Sequence, residues 1–344
     1  MQLISPDKVF RGKNAWKRSL PEIENITNSP LLLGRSATTR SLRSIITNDL
    51  KQLNLKVCNA ELYFDCCEDD LTRIHNLAIE QNCDSIIAAG GGKVLDAGKL
   101  LANHLSVPCI TVPLSASTCA GWTALANIYT TKGKFVRDIN LKACPKILIC
   151  DHSFICTAPK KTLSSGIADS LAKWYESSIT SSSNNDGIVQ QAIQISRVLR
   201  DQLFIQGEDA FNNPLEDNLA WSNIVEANCI TAGLIGGIGG EKCRTAAAHA
   251  IHNAITQIDS DKKPLHGEIV GVGILIQLRL EEIKNNNKLA NQSIIQLVKL
   301  MKNLNLPTTI SELGINVFEN DNLQKIATFT CRKESEIHFL PFEF

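Results

Sequence analysis

One group of residues in the second half of the chain has the side chains of a metal centre. Asp169 lies in GIADSLAKWYE, His249 in AAAHAIHNAIT and His266 in PLHGE. A carboxylate and two imidazoles with one open coordination position are the ligand set of a catalytic divalent cation, most simply Zn²⁺. His249 and His252 are three residues apart and would share one helix face. Buried structural histidines fit the same pattern, so the residues alone leave both interpretations open.

A second group has the pattern of a phosphate-binding turn. Gly90, Gly91, Gly92 and Lys93 end the strand-like run SIIAAG and directly precede a helical pattern that begins near Val94. Glycines at such a turn let backbone N–H groups approach a pyrophosphate, and the helix N-terminus adds a partial positive charge. The turn is neither G-x-G-x-x-G nor a Walker loop, and a plain structural turn is the alternative.

A third segment, SASTCAGW at 115–122, follows the strand-like run PCITVPL. Ligands of open α/β sheets collect at the C-terminal ends of the strands. The hydroxyl groups of this segment are therefore candidates to bind a cofactor's phosphate or amide. The alternative is a Ser/Thr-rich loop that only caps a helix.

The elements that must position these residues divide the chain in two. Short β-branched or leucine-rich runs alternate with amphipathic stretches over the first 150 residues, which predicts an α/β domain with a parallel sheet. After about residue 158 long helical patterns follow, and Pro159 is a plausible hinge. We predict an α/β domain over 1–158 and an all-helical domain over 159–344, with a cleft between them. The predicted strands cover 30–34, 55–63, 85–90, 108–114 and 146–151, and the clearest helices cover 69–81 and 94–105.

Composition excludes several classes of function. The chain has 44% hydrophobic and 20% charged residues and a formal net charge of +0, as in soluble enzymes. Lys and Arg form no basic run, which argues against a nucleic-acid partner. The longest apolar stretch, Ile269 to Ile276, is too short to span a membrane. Without a secretion signal and with 12 cysteines but no C-x-x-C, we predict reduced thiols and a cytoplasmic location.

With these motifs in this order, the sequence resembles the iron-containing alcohol dehydrogenase superfamily, and within it the glycerol dehydrogenase branch. The finer similarity of STCAGWT, DSLAKWYE and ESEIHFLP is to the hydroxycarboxylate dehydrogenase subgroup, which reduces 2-oxo acids. The resemblance implies a dehydroquinate synthase-like fold, with an N-terminal Rossmann-like parallel-sheet domain that binds nucleotide and a C-terminal all-helical domain. The matching stretches are AAGGGKVLDAGK, PLSASTCAGWTALANIYT, SSGIADSLAKWYES, GLIGGIGGEKCRTAAAHAIHNAIT and LHGE.

The resemblance also implies roles for individual residues. Asp169, His249 and His266 would bind the metal, Zn²⁺ or Fe²⁺, and His252 would lie beside the site without binding the metal. From the chemistry of histidine we further predict that His252 relays a proton to solvent. The cofactor would be NAD or NADP, and relatives of this kind form homo-oligomers. The substrate would contact Cys119, Trp122 and Lys173. The cofactor would contact Arg35, Gly90, Gly91, Gly92, Lys93, Asp96, Lys99, Ser115, Ser117, Thr118 and Leu125.

Three departures from the family pattern affect specificity. Lys173 occupies the place of a fourth ligand, a histidine, in iron-dependent relatives, which favours a three-ligand zinc site. Cys119 replaces an aspartate that touches the polyol in glycerol dehydrogenases, so an anionic 2-oxo acid would meet less repulsion. Arg35 replaces an aspartate of NAD-selective relatives, and we predict that it pairs with the 2′-phosphate of NADP. A solvated loop arginine is the alternative for Arg35.

We therefore expect a metal-dependent NAD(P) oxidoreductase of the glycerol dehydrogenase type that acts on the CH–OH group of a small polyol or 2-hydroxy acid. A 2-oxo acid reductase is the nearest alternative. Dehydroquinate synthase and glycerol-phosphate dehydrogenase need basic residues that grip a substrate phosphate, and the pocket segments have few. A nucleotide-binding relative that has lost catalysis is a further alternative, against which the intact trio of metal ligands argues.

Overall fold

The computed structural model describes residues 4–181, 184–260, 262–319 and 321–343. The chain forms two compact units, which we call the sheet unit and the helical unit. The sheet unit comprises Leu3–Pro159 and Leu215–Asp217, and the helical unit comprises Lys160–Pro214 and Asn218–Phe344. The chain thus passes from the first unit to the second between Pro159 and Lys160.

The sheet unit is built on a six-stranded sheet in which every pair of neighbouring strands is parallel. The strand order is β1-β8-β5-β4-β2-β3, and an antiparallel hairpin, β6 with β7, stands apart from it. The strands are β1 Lys8–Gly12, β2 Pro30–Gly34, β3 Cys58–Glu61, β4 Ser85–Gly90, β5 Cys109–Pro113, β6 Leu125–Tyr129, β7 Phe135–Asn140 and β8 Ile147–Asp151.

Both faces of the sheet are buried against helices. Side chains of a strand point alternately to its two faces, so Leu31 and Leu33 belong to one apolar cluster and Leu32 to another. Ile86 and Ile87 of β4 divide in the same way. The continuous apolar runs of the sequence follow from this double burial. The helices of this unit are α1 Ala15–Glu24, α2 Arg40–Gln52, α3 Glu68–Glu80, α4 Gly92–Leu105 and α5 His152–Ile155.

The sequence prediction was wrong at several elements of this unit. The strand expected over 55–63 is limited to Cys58–Glu61 because the Asp70 carboxylate accepts the backbone N–H groups of Tyr63 and Phe64, both at 2.8 Å, and turns the chain. Strands β1, β6 and β7 were not predicted; β1 and β7 carry several exposed residues, which weakens their apolar pattern. Helix α4 begins at Gly92, two residues earlier than expected.

The helical unit contains eight α-helices among the described residues, and a π-helical segment at Ala227–Thr231 joins α8 to α9. Within the described parts of the chain, none of the helices combines the length and apolarity that crossing a membrane requires. The helices are α6 Lys160–Thr180, α7 Gly187–Asn212, α8 Leu219–Glu226, α9 Ala232–Gly239, α10 Ala247–Ile255, α11 His266–Lys284, α12 Lys288–Asn303 and α13 Asn322–Thr330.

Helix α11 begins in very close contact with α6. A Cβ atom added to Gly267 would lie 1.8 Å from the backbone oxygen of Ser165, a distance that no side chain tolerates. The Gly267 N–H also donates to Ser165 Oγ at 3.1 Å. The glycine therefore sets the distance between the two helices directly beside His266.

We expect Gly267→Ala to lower the free energy of unfolding by about 1–3 kcal/mol, because the added methyl group forces the two helices apart. Gly187→Ala is the matched control: Gly187 is exposed, also lies in the first turn of a helix, and an added Cβ would meet no atom within 4 Å. Urea unfolding of both variants beside the wild type measures the difference. Equal stability of the two variants would contradict the close helix contact.

Candidate metal centre and cofactor site

Three helices of the helical unit bring the predicted metal ligands together. Asp169 is on α6, His249 is on α10 and His266 is the first residue of α11. Asp169 Oδ1 lies 3.4 Å from His249 Nε2 and 3.2 Å from His266 Nε2, and the ligand atoms of all three lie within 4.8 Å of one another. Asp169 and His249 are buried, whereas the His266 side chain keeps 29% of its surface exposed, so solvent reaches the cluster on the His266 side.

The geometry of this trio fits a divalent cation. Asp169 Oδ1 is buried and has no hydrogen-bond partner among the described residues, which is costly for a carboxylate oxygen. Ligands placed tetrahedrally at about 2.0–2.1 Å from an ion are about 3.3–3.4 Å from one another. The two oxygen–nitrogen distances are of that size, and they exceed the length of a charge-assisted hydrogen bond.

The electrostatics of the trio favour bound positive charge. Burial opposes ionisation of Asp169, but the neighbouring His266 and His249 hold the pKa of its carboxyl group well below its usual range. Burial likewise opposes a charged His249, yet the Glu176 carboxylate outweighs it and raises the pKa of His249 to about 9. Asp169 is thus a carboxylate, and the surroundings of His249 stabilise a cation.

His252 contacts His266 and does not reach the trio's shared centre. His266 Nδ1 lies 2.9 Å from His252 Nε2, and His252 Nδ1 lies 3.0 Å from Asn253 Oδ1. If His266 binds a metal through Nε2, its Nδ1–H donates to His252, which in turn donates to Asn253. Burial, reinforced by His266, lowers the pKa of His252 well below its usual range, consistent with this neutral acceptor. Both ring nitrogens of His252 are engaged, so the proton relay stays a prediction.

Lys173 lies one helical turn after Asp169 and is not a fourth ligand. Its ammonium group is buried and donates to the backbone oxygen of Arg244 at 2.8 Å. The ammonium group therefore fixes the segment that precedes α10. A contact between Lys173 and the substrate stays a prediction.

In the sheet unit, the glycine turn joins β4 to α4 and lies against the hydroxyl-rich segment. A Cβ added to Gly92 would lie 2.8 Å from Thr118 Cγ2, and one added to Gly91 would lie 3.8 Å from Ser115 Oγ. Ser115 and Ser117 lie within hydrogen-bond distance of each other, at 3.2 Å between their Oγ atoms. A side chain at Gly92 would clash with Thr118, so the glycine lets the hydroxyl-rich segment pack directly against the start of α4. Contact of this turn and of Ser115, Ser117 and Thr118 with the cofactor stays a prediction.

Asp96 and Lys99 have internal partners. The buried Lys99 ammonium lies 3.0 Å from Asp96 Oδ1 and donates to the backbone oxygens of Thr123, at 3.1 Å, and Leu125. Asp96 Oδ2 accepts the N–H of Asn127 at 3.2 Å. The pair ties α4 to the start of β6, which positions Leu125. Direct contact of Asp96, Lys99 and Leu125 with the cofactor stays a prediction.

Arg35 and Lys93 share one carboxylate, that of Asp65. Arg35 follows β2, and its Nη1 lies 2.6 Å from Asp65 Oδ1; Lys93 lies in the first turn of α4, and its ammonium group pairs with Asp65 Oδ2. The two cations keep 41% and 42% of their side-chain surface exposed, whereas Asp65 keeps 9%. The cluster follows the carboxyl ends of β2, β3 and β4, which are neighbours in the sheet, and it carries a net positive charge.

Cys119 and Trp122 are buried in the sheet unit, whereas Lys173 belongs to the helical unit. The backbone N–H of Trp122 donates to the Cys119 oxygen at 2.9 Å. The indole Nε1 of Trp122 is buried and has no hydrogen-bond partner within the part of the chain that the structure describes. A contact of Cys119 or Trp122 with the substrate stays a prediction.

Sequence reasoning missed two acidic residues of these sites, Glu176 and Asp65. Glu176 follows Asp169 by seven residues, so the spacing of two helical turns could have revealed it as a residue on the same face. Its Oε2 lies 2.7 Å from His249 Nδ1. Asp65 has no comparable signal, because only the parallel pairing of β2 with β3 and β4 brings it near Arg35 and Lys93.

Comparison with known proteins places this chain in one family. The sequence profile of iron-containing alcohol dehydrogenases matches residues 6–152. An uncharacterized oxidoreductase of Synechocystis is 44% identical over 98% of this chain and 87% of its own length. Hydroxycarboxylate dehydrogenase A of Escherichia coli is 33% identical over 80% of this chain and 75% of its own. The crystal structure of glycerol dehydrogenase from Schizosaccharomyces pombe superposes with a TM-score of 0.87 at 28% identity, covering 99% of this chain and 86% of that one.

The chain belongs to the iron-containing alcohol dehydrogenase family. Within that family it is a member of the glycerol dehydrogenase branch, and it is an oxidoreductase of the alcohol dehydrogenase class. The resemblance inferred from the sequence motifs and the two-part α/β and helical fold are both confirmed.

Loss of a residue that only contacts a metal ligand costs about 10–100-fold in metal affinity. We expect Asp169→Asn to weaken Zn²⁺ binding by more than this, because the variant removes a charged ligand. Competition with a chromophoric chelator measures the affinity. Asp201→Asn is the control, since Asp201 pairs with Arg200 and its side chain is 49% exposed. Unchanged affinity in Asp169→Asn would exclude the trio as the metal site.

Proposed function

We propose that this protein is a metal-dependent, nicotinamide-dependent oxidoreductase that interconverts the CH–OH group of a small polyol or 2-hydroxy acid and the corresponding carbonyl group. The observation that carries the proposal is the convergence of Asp169, His249 and His266 on one point, with Asp169 Oδ1 buried and unpaired among the described residues. Family membership supports the same reaction class.

The residues of the chain divide the work of such a reaction. When bound, a divalent cation acts as a Lewis acid that polarises the substrate oxygen, and the nicotinamide carries the hydride. Asp169, His249 and His266 would hold the cation. The backbone at Gly91 and Gly92 would hold the pyrophosphate at the start of α4.

We further propose that a 2-oxo acid and its 2-hydroxy acid are preferred over glycerol. Cys119 places a thiol where a glycerol dehydrogenase would have a carboxylate, so an anionic substrate meets no like charge there. The buried indole N–H of Trp122, three residues along, is a donor that suits a carboxylate oxygen. The similarity to a hydroxycarboxylate dehydrogenase supports the preference.

A substrate panel with added Zn²⁺ tests the proposal. We expect higher kcat/KM with 2-oxobutyrate or 2-oxoglutarate than with glycerol. Cys119→Asp should lower kcat/KM for the oxo acids by about tenfold or more, since like charges cost several kcal/mol at such a site. Cys119→Ser, which is similar in size and adds no charge, should keep the preference. A wild-type preference for glycerol would reject the 2-oxo acid proposal, and no turnover of any substrate would reject the reaction class.

We also propose that NADP(H) is accepted at least as well as NAD(H). In doubly wound sheets the ribose of the cofactor lies beyond the end of the strand next to the glycine turn. Here that strand is β2, and Arg35 follows it. Arg35 and Lys93 together offer two cations to a 2′-phosphate, against one carboxylate of Asp65.

We expect Arg35→Asp to lower the ratio of kcat/KM for NADP(H) to that for NAD(H) by about tenfold or more, because a charge-assisted contact worth about 1.5–3 kcal/mol is lost. Asp65→Asn should raise the same ratio by freeing both cations. Arg137→Ala is the control, since the exposed side chain of Arg137 in β7 pairs with the exposed Glu68 of α3. An unchanged cofactor ratio in Arg35→Asp would contradict the proposal.

The cytoplasmic location and the homo-oligomeric state stay predictions from the sequence.

A further inference from the structure

Glu176 is a fully buried acid on α6 that faces the start of α10. Its Oε1 accepts the backbone N–H groups of Ala246, at 2.7 Å, and His249, at 3.0 Å. Its Oε2 lies 2.7 Å from Nδ1 of the His249 ring. One carboxylate thus contacts both the backbone and the ring of a candidate metal ligand, and none of its surface is exposed.

These contacts determine which nitrogen of His249 carries the proton. The ionised carboxylate, on which two backbone N–H groups already converge, has only acceptors, so the Nδ1 atom of His249 donates to Oε2. In the neutral ring the proton then resides on Nδ1 and the lone pair on Nε2. Nε2 is the atom that lies 3.4 Å from Asp169 Oδ1, on the side of the shared centre.

We propose that Glu176 is a positioning residue for the metal: its carboxylate holds His249 as the Nδ1–H tautomer and orients its Nε2 lone pair toward the cation. The inference rests on the proposed function, because it requires the trio to bind a metal. A carboxylate that accepts the second N–H of a ligating histidine fixes the ring and raises its basicity, and losing such a partner costs about 10–100-fold in metal affinity.

A purely structural role predicts something different. Through Oε1 alone, Glu176 satisfies two N–H groups at the start of α10, and any side chain with one suitable oxygen could do the same. Glu176→Gln separates the two roles. Its amide oxygen can keep both backbone contacts, but its NH₂ group then faces Nδ1, which must become an acceptor and leave the proton on Nε2.

The test measures Zn²⁺ affinity of the full-length protein by chelator competition, together with the melting temperature without metal. We expect Glu176→Gln to bind Zn²⁺ about 10–100-fold more weakly with little change in the metal-free melting temperature, and Glu176→Asp to recover part of the affinity. Co²⁺ substitution should show altered visible absorption bands in Glu176→Gln, since a ligand is displaced or reoriented. None of these readouts requires turnover.

Glu281→Gln is the matched control. Glu281 is also a buried acid of the helical unit, but its oxygens accept from Gln277 at 3.1 Å and Asn287 at 3.2 Å and reach none of the three ligands. Its substitution should leave Zn²⁺ affinity at the wild-type value. An equal loss of affinity in Glu281→Gln and Glu176→Gln would assign the effect to a general loosening of the unit and overturn the inference.

The outcomes distinguish failure of the inference from failure of the proposed function. If the wild type binds no Zn²⁺, the metal site itself fails. If the wild type binds and Glu176→Gln binds equally well, only the positioning role fails. If Glu176→Gln does not fold, the ring ¹⁵N shifts of His249 in the Zn²⁺-loaded wild type decide, because a protonated Nδ1 supports the inference and a protonated Nε2 overturns it.

Discussion

The buried carboxylate of Asp169, facing two imidazole nitrogens, is the constraint on which the helical unit depends. A charge removed from water must be compensated, and the two imidazoles that face Asp169 come from α10 and α11. This requirement explains why α6 and α11 approach so closely that Gly267 has no room for a side chain. It also explains why α6 contributes a second acid, Glu176, to the neighbouring helix start. The packing of α6 against α10 and α11 therefore fixes the positions of the three ligand atoms around one point.

The sheet unit also brings charged residues together, but through the order of its strands. Parallel strands end at the same edge, so residues far apart in the sequence become neighbours after β2, β3 and β4. Arg35, Asp65 and Lys93 meet there, beside the glycine turn that begins α4. In the function proposed above, backbone groups of the turn would hold the phosphates of either cofactor, whereas the charged cluster would discriminate between NAD and NADP. General affinity and selectivity would then reside in separate parts of one edge.

The sequence predicted elements well where one face or both were fully buried. The strands β2 and β4 match their predicted bounds, because uninterrupted apolar runs leave little ambiguity. Strand β7 was missed, since its exposed residues interrupt the apolar run, and its partner β6 was missed with it. For the metal trio, the residues themselves supplied a candidate and the family resemblance assigned the roles, whereas the contact of Glu176 with His249 needed coordinates. The contact of Asp65 with Arg35 and Lys93 could not be predicted, because the order of strands in a sheet does not follow from the local residue pattern.

The buried ammonium group of Lys99 has a consequence for how the sheet unit responds to a ligand. Helix α4 starts at the glycine turn, and Lys99 fastens the same helix to the start of β6 through the backbone oxygens of Thr123 and Leu125, while Asp96 of α4 accepts the N–H of Asn127. A desolvated cation with several acceptors is hard to displace. Turn, helix and strand are therefore linked through buried polar contacts, so a displacement of α4 at the glycine turn would also strain the contacts of Lys99 with Thr123 and Leu125.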